Sequence, residues 1–294
     1  MKKPVFEGVA TALVTPFKNG TIDLPTLQKL MDRQIGSGID AIVICGTTGE
    51  SATLTTQEQL SLISHAVDYA AGRCKVIAGT GSNDTAYALK LSQEAEAMGA
   101  DALLLVSPYY NKTSQTGLIK HFNYVAERVS LPCILYNVPS RTGCNIKPET
   151  YHELSKTENI VAAKEANGDI SSVAETLALC GDNLQVYSGN DDQVVPMMSL
   201  GAKGVISVVA NIAPEIMVNM THLCLDGRFE EASRIQLDYM EFIDALFIEV
   251  NPIPIKAALN LVGKEAGPLR LPLCDMTNGH LDVLKAAMAK VGLL

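Results

Sequence analysis

Short apolar runs alternate with longer amphipathic stretches along this chain. Nearly every position within a run is apolar, which is typical of parallel strands buried on both faces. The runs recur at intervals of roughly 20 to 35 residues, as strands joined by helical crossovers require. They are Gly8–Val14, Ala41–Cys45, Lys75–Ala78, Ala102–Val106, Cys133–Asn137, Ile160–Lys164, Leu184–Ser188 and Gly204–Val208. Eight strands, each followed by a helical segment, predict a closed (β/α)₈ TIM barrel of the α/β class more than an open sheet.

After the eighth run the pattern changes to helical segments alone. It predicts helices over residues 215–226, 229–249 and 282–291, and one that begins near Pro254. The first completes the eighth β/α unit. No linker-like or low-complexity segment interrupts the remainder. We therefore expect a catalytic barrel over residues 1–224 and a C-terminal helical extension, residues 225–294, packed on it.

Capping residues mark the predicted helix boundaries. Thr55 or Thr56 precedes Glu58 as in a capping box, and Asp84 precedes a helical segment over residues 86–98. Glycine is favoured where a helix ends in a left-handed conformation. Four glycines stand at such predicted ends, namely Gly36, Gly72, Gly99 and Gly201.

The charge balance narrows the class of partner. The 294 residues carry a formal net charge of -9, and the basic residues form no long run. This disfavours a nucleic acid or an anionic membrane surface. No apolar stretch reaches the roughly 18 residues of a membrane span, and Glu7 and Pro16 do not fit a signal peptide. We expect a soluble, cytoplasmic protein that acts on a small molecule.

The seven cysteines fit the same compartment. Their number is odd and no C-x-x-C pair occurs, so we expect reduced, packed thiols. Cys45 and Cys133 lie inside apolar runs. Cys144, beside a glycine in a polar loop, is the candidate for an exposed and reactive thiol, although packing is the favoured interpretation.

Polar and reactive residues gather where the predicted strands end. In a (β/α)₈ barrel the active site lies at the carboxyl ends of the strands. Four runs lead directly into hydroxyls, phenols, a guanidinium or an amine. These segments are Gly46–Glu50, Ser107–Asn111, Tyr136–Gly143 and Lys164-Glu165. We expect their side chains to share one rim of the barrel.

Lys164 is the strongest candidate for a reacting group. It ends an apolar strand, where a charged amine is costly. A lysine with the ordinary pKa of about 10.4 is neutral in roughly one molecule in 2,500 at pH 7, and attack on a carbonyl needs the neutral amine. Burial and the cation of Arg141 would both lower the pKa. The alternative is an ion pair with a carboxylate such as Glu165 or Asp191.

Four other rim residues have a chemical role to offer, each with a simpler alternative. Tyr136, adjacent to Lys164 in the predicted barrel, can carry protons or merely line the barrel. Thr47 and Thr48 offer hydroxyls beside glycines, or form an ordinary turn. Arg141 suits a carboxylate, or makes a surface salt bridge. We favour a substrate site, because the simpler alternatives require separate coincidences.

The remaining ionisable residues have less distinctive settings. Glu165 should point away from Lys164, since side chains alternate along a strand, and a hydrogen-bonding role is expected for it. Asp191 and Asp192 stand where the seventh helix begins and are interpreted as caps, although they could instead ligate a divalent ion. The five histidines have no i, i+4 partner, so no histidine metal site is predicted.

Four motifs carry a family resemblance: GTTGES at 46–51, PYYN at 108–111, YNVPSRTG at 136–143 and AAKEA at 162–166. Through them the chain resembles, over nearly its whole length, the dihydrodipicolinate synthase branch of the N-acetylneuraminate lyase family. The resemblance implies condensation of pyruvate with L-aspartate-4-semialdehyde in lysine and diaminopimelate biosynthesis. It also implies that no metal or dissociable cofactor is needed, because pyruvate is held as an imine on Lys164.

The resemblance assigns roles to the matching residues of this chain. Catalysis falls to Lys164 and a proton relay of Tyr136, Thr47 and Tyr110. Substrate binding falls to Thr48, Arg141, Gly189 and Ile206. In relatives the counterpart of Tyr110 enters from a neighbouring subunit, and the assembly is a homotetramer built from two tight dimers, which we expect here.

One region departs from lysine-inhibited members of the family, which bind lysine near the dimer interface through histidine and glutamate. The residues at the corresponding positions are Thr56, Gln59 and Tyr87, whereas Ser51, Ala52, Asn83 and Tyr109 are retained. Tyr87 has no carboxylate to pair with the amine of lysine. We expect feedback inhibition by lysine to be weak or absent.

Three other functions stay open. One is another pyruvate lyase, such as an N-acetylneuraminate or keto-deoxy-sugar aldolase. Arg141, which the resemblance assigns to substrate binding, is the residue that discriminates between this function and the synthase. A metal-dependent aldolase would use Asp191 and Asp192. A barrel that binds ligand without catalysis would have kept the pocket alone.

Overall fold

A computed structural model describes residues 2–294. Eight parallel strands close into a barrel in which the first strand pairs with both the second and the eighth. They are β1 (Gly8–Ala12), β2 (Ala41–Ile44), β3 (Lys75–Gly79), β4 (Ala102–Val106), β5 (Cys133–Asn137), β6 (Ile160–Glu165), β7 (Gln185–Ser188) and β8 (Gly204–Ser207). The predicted TIM barrel is confirmed. A short antiparallel hairpin, Phe17–Lys18 with Thr21–Ile22, follows β1.

Helices surround the barrel and continue beyond it. They are α1 (Leu24–Gly36), α2 (Thr56–Ala70), α3 (Thr85–Ala97), α4 (Gln115–Ala126), α5 (Pro139–Thr142), α6 (Pro148–Leu154), α7 (Ile170–Cys180), α8 (Val194–Ser199), α9 (Pro214–Leu225), α10 (Phe229–Ala245), α11 (Ile253–Leu261) and α12 (Asn278–Lys290). Of the last three, α10 packs on α8, α9 and α12, and α11 packs on α12. Over the described chain, no helix is both long and apolar enough to span a bilayer.

Most predicted helix boundaries hold within two residues, but α10 ends at Ala245 where the pattern predicts 249, and α12 begins at Asn278 where it predicts 282. Thr55 caps α2 and exchanges hydrogen bonds with Glu58, and Asp84 accepts from the first N–H groups of α3. Gly36, however, is the last residue of α1, and it is Gly38 that adopts the left-handed conformation, with φ of +81°. The helix ends at Gly36 as predicted, but the left-handed residue comes later, because the hydroxyl and N–H of Ser37 both donate to the last-turn carbonyl of Arg33.

The core consists of two layers, one between strands and helices and one inside the barrel. At the amino end of the barrel, Phe6 stacks on Tyr187 with ring centroids 4.2 Å apart. The phenol of Tyr187 also donates to the Phe6 carbonyl at 2.8 Å. Aromatic packing therefore closes this end, and the open end is the one at which the strands terminate.

Asp191 does not cap α8. It is 1% exposed and accepts hydrogen bonds from the Ser207 hydroxyl and from the backbone N–H groups of Val208 and Val209. A 3₁₀ turn, Asp191–Gln193, separates it from α8, so the predicted cap is wrong. Asp191 instead joins the carboxyl ends of β7 and β8. No group of three or more side chains placed to hold a metal ion occurs among the described residues.

The cysteines are all free thiols. Cys144 is only 5% exposed, so its packed interpretation is confirmed. Burial raises the pKa of the Cys45 and Cys133 thiols to about 12. Cys274 is exposed, and the expectation of packed thiols is therefore wrong at this position, which lies in a loop between α11 and α12.

Candidate active site

A cavity of about 160 Å³ opens at the carboxyl ends of the strands. Its volume is well below that of sites for drug-sized ligands, which suits a small organic acid. Six of the predicted site residues line it: Thr47, Thr48, Tyr136, Arg141, Lys164 and Gly189. The barrel topology thus brings together side chains that are more than 140 positions apart in the chain.

Lys164, near the end of β6, is 6% exposed. The pKa of its amine is lowered to about 8: burial is the largest cause, the charge of Asp191 opposes it, and the cation of Arg141 acts in the same direction as burial. The carboxylates of Glu165 and Asp191 are held by hydrogen bonds to other groups. The ion-pair alternative for Lys164 is therefore not supported, and its amine is available for chemistry.

Tyr136 in β5 is the register partner of Lys164. The lysine Nζ lies 4.3 Å from the centroid of the phenol ring. Burial raises the pKa of Tyr136, whereas Arg141 and a hydrogen bond with the Thr47 side chain lower it, and the net direction is upward. The phenol is therefore protonated at neutral pH, next to the amine.

Glu165 points away from the cavity and completes a buried network, which confirms its predicted hydrogen-bonding role. Its carboxylate accepts from Asn137 Nδ2 at 2.9 Å, from the Tyr151 phenol at 3.0 Å and from the Asn167 N–H at 3.0 Å. Burial raises its pKa to about 7, although these hydrogen bonds act in the opposite direction. The network fixes the strand end from which Lys164 projects.

Gly189 leaves room for the lysine side chain. A Cβ at this position would lie 3.1 Å from Lys164 Cε and 2.8 Å from the Ala166 Cβ. Ile206 does not line the cavity. It is fully buried in β8, within the interior cluster that also contains Tyr136.

Arg141 on α5 stands exposed at the cavity mouth, and its Nη2 donates to the Asn251 carbonyl at 3.0 Å. The Asn251 side chain in turn donates to Thr48 Oγ1 at 3.0 Å. Sequence reasoning missed Asn251, because it lies 110 positions from Arg141 on the loop before α11. The available signal was a polar residue at the start of Asn251-Pro252-Ile253-Pro254, where two prolines interrupt the helical pattern.

Tyr110 lies outside the cavity of its own chain. It is 90% exposed and has a left-handed φ of +68°. A tyrosine so exposed contributes nothing to the site within a single chain. Its place in the proton relay stays a prediction that requires a second subunit.

A second cavity, of about 330 Å³, adjoins the first and reaches Thr47 and Arg141. Five residues of the predicted regulatory region line it or its rim: Ser51, Ala52, Gln59, Tyr87 and Tyr109. Asn83 lies outside and donates to the Tyr109 carbonyl at 3.1 Å. The hydroxyls of Tyr87 and Thr56 are hydrogen-bonded to each other at 2.8 Å. Two of the residues that differ from lysine-inhibited relatives are therefore hydrogen-bond partners of each other.

A closed barrel with a buried amine of lowered pKa at the carboxyl ends of its strands is the arrangement that a Schiff-base lyase of the (β/α)₈ type requires. The family model described as "Dihydrodipicolinate synthetase family" matches residues 5–291. The chain is 52% identical over 292 residues to 4-hydroxy-tetrahydrodipicolinate synthase of Thermoanaerobacter sp. (strain X514), covering 99% of this chain and 98% of the relative. The chain belongs to this family, and the resemblance predicted from its motifs is confirmed.

Solved structures agree with the assignment. Dihydrodipicolinate synthase from Thermotoga maritima superposes with a TM-score of 0.97 at 41% identity, covering 99% of this chain and 100% of that one. The chloride-inhibited enzyme from Acinetobacter baumannii, complexed with pyruvate, has a TM-score of 0.96 at 39% identity, with coverage of 98% and 100%.

Proposed function

We propose that the chain condenses pyruvate with L-aspartate-4-semialdehyde through an imine on Lys164, giving the cyclic precursor of diaminopimelate and lysine. The observation that carries this proposal is the buried Lys164 amine, with its pKa lowered to about 8, in a small cavity lined by hydroxyls and a guanidinium. We further propose that the reaction needs no metal or dissociable cofactor, because the protonated imine itself withdraws electrons.

The first half of the reaction attaches pyruvate to the enzyme. Neutral Nζ of Lys164 attacks the keto carbon, and the resulting carbinolamine loses its hydroxyl as water. In this proposal Tyr136 supplies the proton for that departure and Thr47 returns one to it; the closeness of the phenol to the Lys164 amine and the hydrogen bond between Tyr136 and Thr47 support these roles. The protonated imine makes the pyruvate methyl acidic, and loss of a methyl proton gives an enamine.

The second half forms the new carbon–carbon bond. The enamine carbon attacks the aldehyde carbon of the semialdehyde, whose oxygen takes up a proton and becomes a hydroxyl. The amine of the semialdehyde then attacks the imine carbon and displaces Lys164. Ring closure releases the free lysine, and one water is lost overall.

Pyruvate and the semialdehyde each carry a carboxylate, and the two carboxylates need separate binding residues. Thr48, 3% exposed beside the turn glycines, is suited to the carboxylate of pyruvate. Arg141 at the mouth offers a planar fork to the carboxylate of the semialdehyde. A sugar aldolase needs no such carboxylate partner for its aldehyde, and the close relatives give that alternative no support.

We also propose a cytoplasmic homotetramer built from two tight dimers. The exposed position of Tyr110 supports this assembly, because the phenol can enter a relay only in another subunit. Sedimentation velocity tests the oligomeric state, and a fully active monomer would count against it.

Borohydride trapping tests the chemistry. The protein is incubated with pyruvate and sodium cyanoborohydride, and the adduct is mapped by mass spectrometry. We expect one pyruvate adduct on Lys164, none in Lys164→Ala, and an unchanged adduct in the exposed-lysine control Lys285→Ala. Full turnover of the two substrates by Lys164→Ala would overturn the proposal.

A further inference from the structure

A buried ion pair joins the barrel rim to the C-terminal helical extension. Glu50 ends the turn Gly46–Glu50, here called the threonine turn because it carries Thr47 and Thr48. Lys256 lies on α11, and its Nζ is 2.8 Å from Glu50 Oε1, with side chains 1% and 0% exposed respectively. The two residues are 206 positions apart.

The ammonium group of Lys256 is fully satisfied. Besides Glu50 it donates to the carbonyls of Thr15 at 3.0 Å and of Pro268 at 2.6 Å. Three donors thus meet three acceptors, one on the barrel rim, one on the segment after β1 and one in the extension. This geometry fixes the position of each partner.

Glu50 holds the threonine turn in a conformation that is costly for a residue with a side chain. Its φ is +56°, in the left-handed region, and such a conformation persists only where the surroundings impose it. Its second carboxylate oxygen accepts from the Arg270 N–H at 3.0 Å. Within the turn, the Glu50 N–H donates to the Thr47 carbonyl at 3.0 Å.

A second contact from the same segment reaches the turn. Asn251, five positions before Lys256, donates to the hydroxyl of Thr48. The extension therefore holds the turn at Thr48 and again at Glu50. A buried ion pair adds little net stability compared with apolar side chains of similar size, so stability alone is a poor explanation for this one.

We propose that Glu50 and Lys256 are positioning residues for the reaction. Their ion pair fixes the threonine turn against the extension, so that Thr47 and Thr48 line the cavity that holds the Lys164 amine. This inference rests on the proposed function for its kinetic consequence, but the positioning itself can be measured without turnover.

Two variants and one matched control test it. Lys256→Met keeps the length of the aliphatic stem and removes the charge, and Glu50→Gln keeps the shape of the carboxylate. Leu284→Ala is the control, since Leu284 is fully buried on α12 and does not contact the turn through any hydrogen bond. Each protein is studied at a temperature where circular dichroism shows it folded, and melting temperatures are recorded.

Amide hydrogen exchange reports the positioning. We expect the Gly49 and Glu50 amides, which donate within the turn, to exchange about tenfold faster or more in Lys256→Met and Glu50→Gln, and to be unchanged in Leu284→Ala. Unchanged protection of these amides in a folded Lys256→Met or Glu50→Gln protein would overturn the proposal. If Lys256→Met does not fold, the more conservative Glu50→Gln decides.

Kinetics report the consequence. We expect kcat to fall by about tenfold or more in both variants, because small displacements of catalytic groups lower the reaction rate strongly. Pyruvate at saturating concentration should still be trapped on Lys164. A kcat equal to that of Leu284→Ala at a comparable melting temperature would reduce the pair to a structural role. Absence of turnover in the unmodified protein would count against the proposed function, and the exchange experiment would still decide on the positioning.

Discussion

The Nζ of Lys164 lies 4.3 Å from the centre of the Tyr136 ring, and the two residues are direct partners in the register of β5 and β6. Paired residues of neighbouring strands project to the same face of a sheet. The backbone pairing therefore places amine and phenol together before any side-chain packing is considered. The phenol is already protonated at neutral pH. The first chemical step is therefore limited by the protonation state of the Lys164 amine.

Imine formation with pyruvate should become faster as the pH rises through about 8. The pKa of Lys164 is lowered to about 8, chiefly by burial, against the opposing charge of Asp191 and with a smaller contribution from Arg141. The neutral share of the amine then rises from about a tenth at pH 7 to about half at pH 8, so the rate should rise about fivefold.

Single-turnover cyanoborohydride trapping between pH 6 and 10 at constant ionic strength measures this dependence. A midpoint near the ordinary lysine pKa of about 10.4 would show that the site does not depress it. A pyruvate-free control corrects for reaction of other lysines with the reagent.

Arg141→Ala should separate the two substrates. Loss of a charge-assisted hydrogen-bond donor at the cavity mouth should lower kcat/KM for the semialdehyde by about 100-fold, whereas pyruvate should still be trapped on Lys164. Steady-state kinetics with each substrate varied in turn measures the effect. Arg141→Lys is the matched variant, expected to be intermediate because it keeps the charge and loses the planar fork. Equal losses for pyruvate and semialdehyde would argue that Arg141 maintains the site as a whole.

Lysine should inhibit this enzyme weakly or not at all. Tyr87 offers no carboxylate to the second cavity, and its hydroxyl is bonded to Thr56. Initial rates at increasing lysine concentration test this, and half-maximal inhibition below the millimolar range would contradict it. Tyr87→Glu should strengthen inhibition, because it supplies a charge partner for the amine of lysine, whereas Tyr87→Phe should not.

Periodicity and strand order were sufficient to predict where the Lys164 and Tyr136 side chains meet, since both follow from residues within one β/α unit of each other. Asn251 and Lys256 could not be predicted in this way. Their partners, Thr48 and Glu50, are 203 and 206 positions away. Local patterns describe elements and do not say which surfaces of distant elements touch. Lys256 did carry a signal, a single charge within an apolar helix, of the kind that marks a buried partner.

The role of Asp191 was mispredicted for a related reason. A carboxylate that precedes a helix is most often a cap, and nothing near Asp191 in the sequence distinguishes it from one. Its actual donors lie at the end of β8, and they come within reach only because the barrel closes. Closure of the barrel, a property of the whole chain, thus decides the role of one side chain.

Tyr151→Phe should destabilise the protein, and more so at pH 8 than at pH 5.5. The Tyr151 phenol donates to Glu165 Oε2 at 3.0 Å, and both residues are buried. The pKa of Glu165 is raised to about 7, so the native protein holds a proton between the ordinary glutamate pKa and 7 that the unfolded chain releases. In that window the contribution of Glu165 to stability declines as pH rises. Above pH 7 the Glu165 carboxylate of the native protein is charged, and its burial then depends on its hydrogen-bond donors.

Removing the phenol hydroxyl should therefore cost about 2 kcal/mol of unfolding free energy at pH 8, where it bonds to a charged group, and about 1 kcal/mol at pH 5.5, where the acid is neutral. Urea unfolding of both proteins at the two pH values measures the difference. Tyr124→Phe serves as the control, because Tyr124 is 44% exposed and its loss of a hydroxyl should change little. An equal cost at both pH values would mean that Glu165 is already ionised at pH 5.5, and that its hydrogen bonds outweigh the effect of burial.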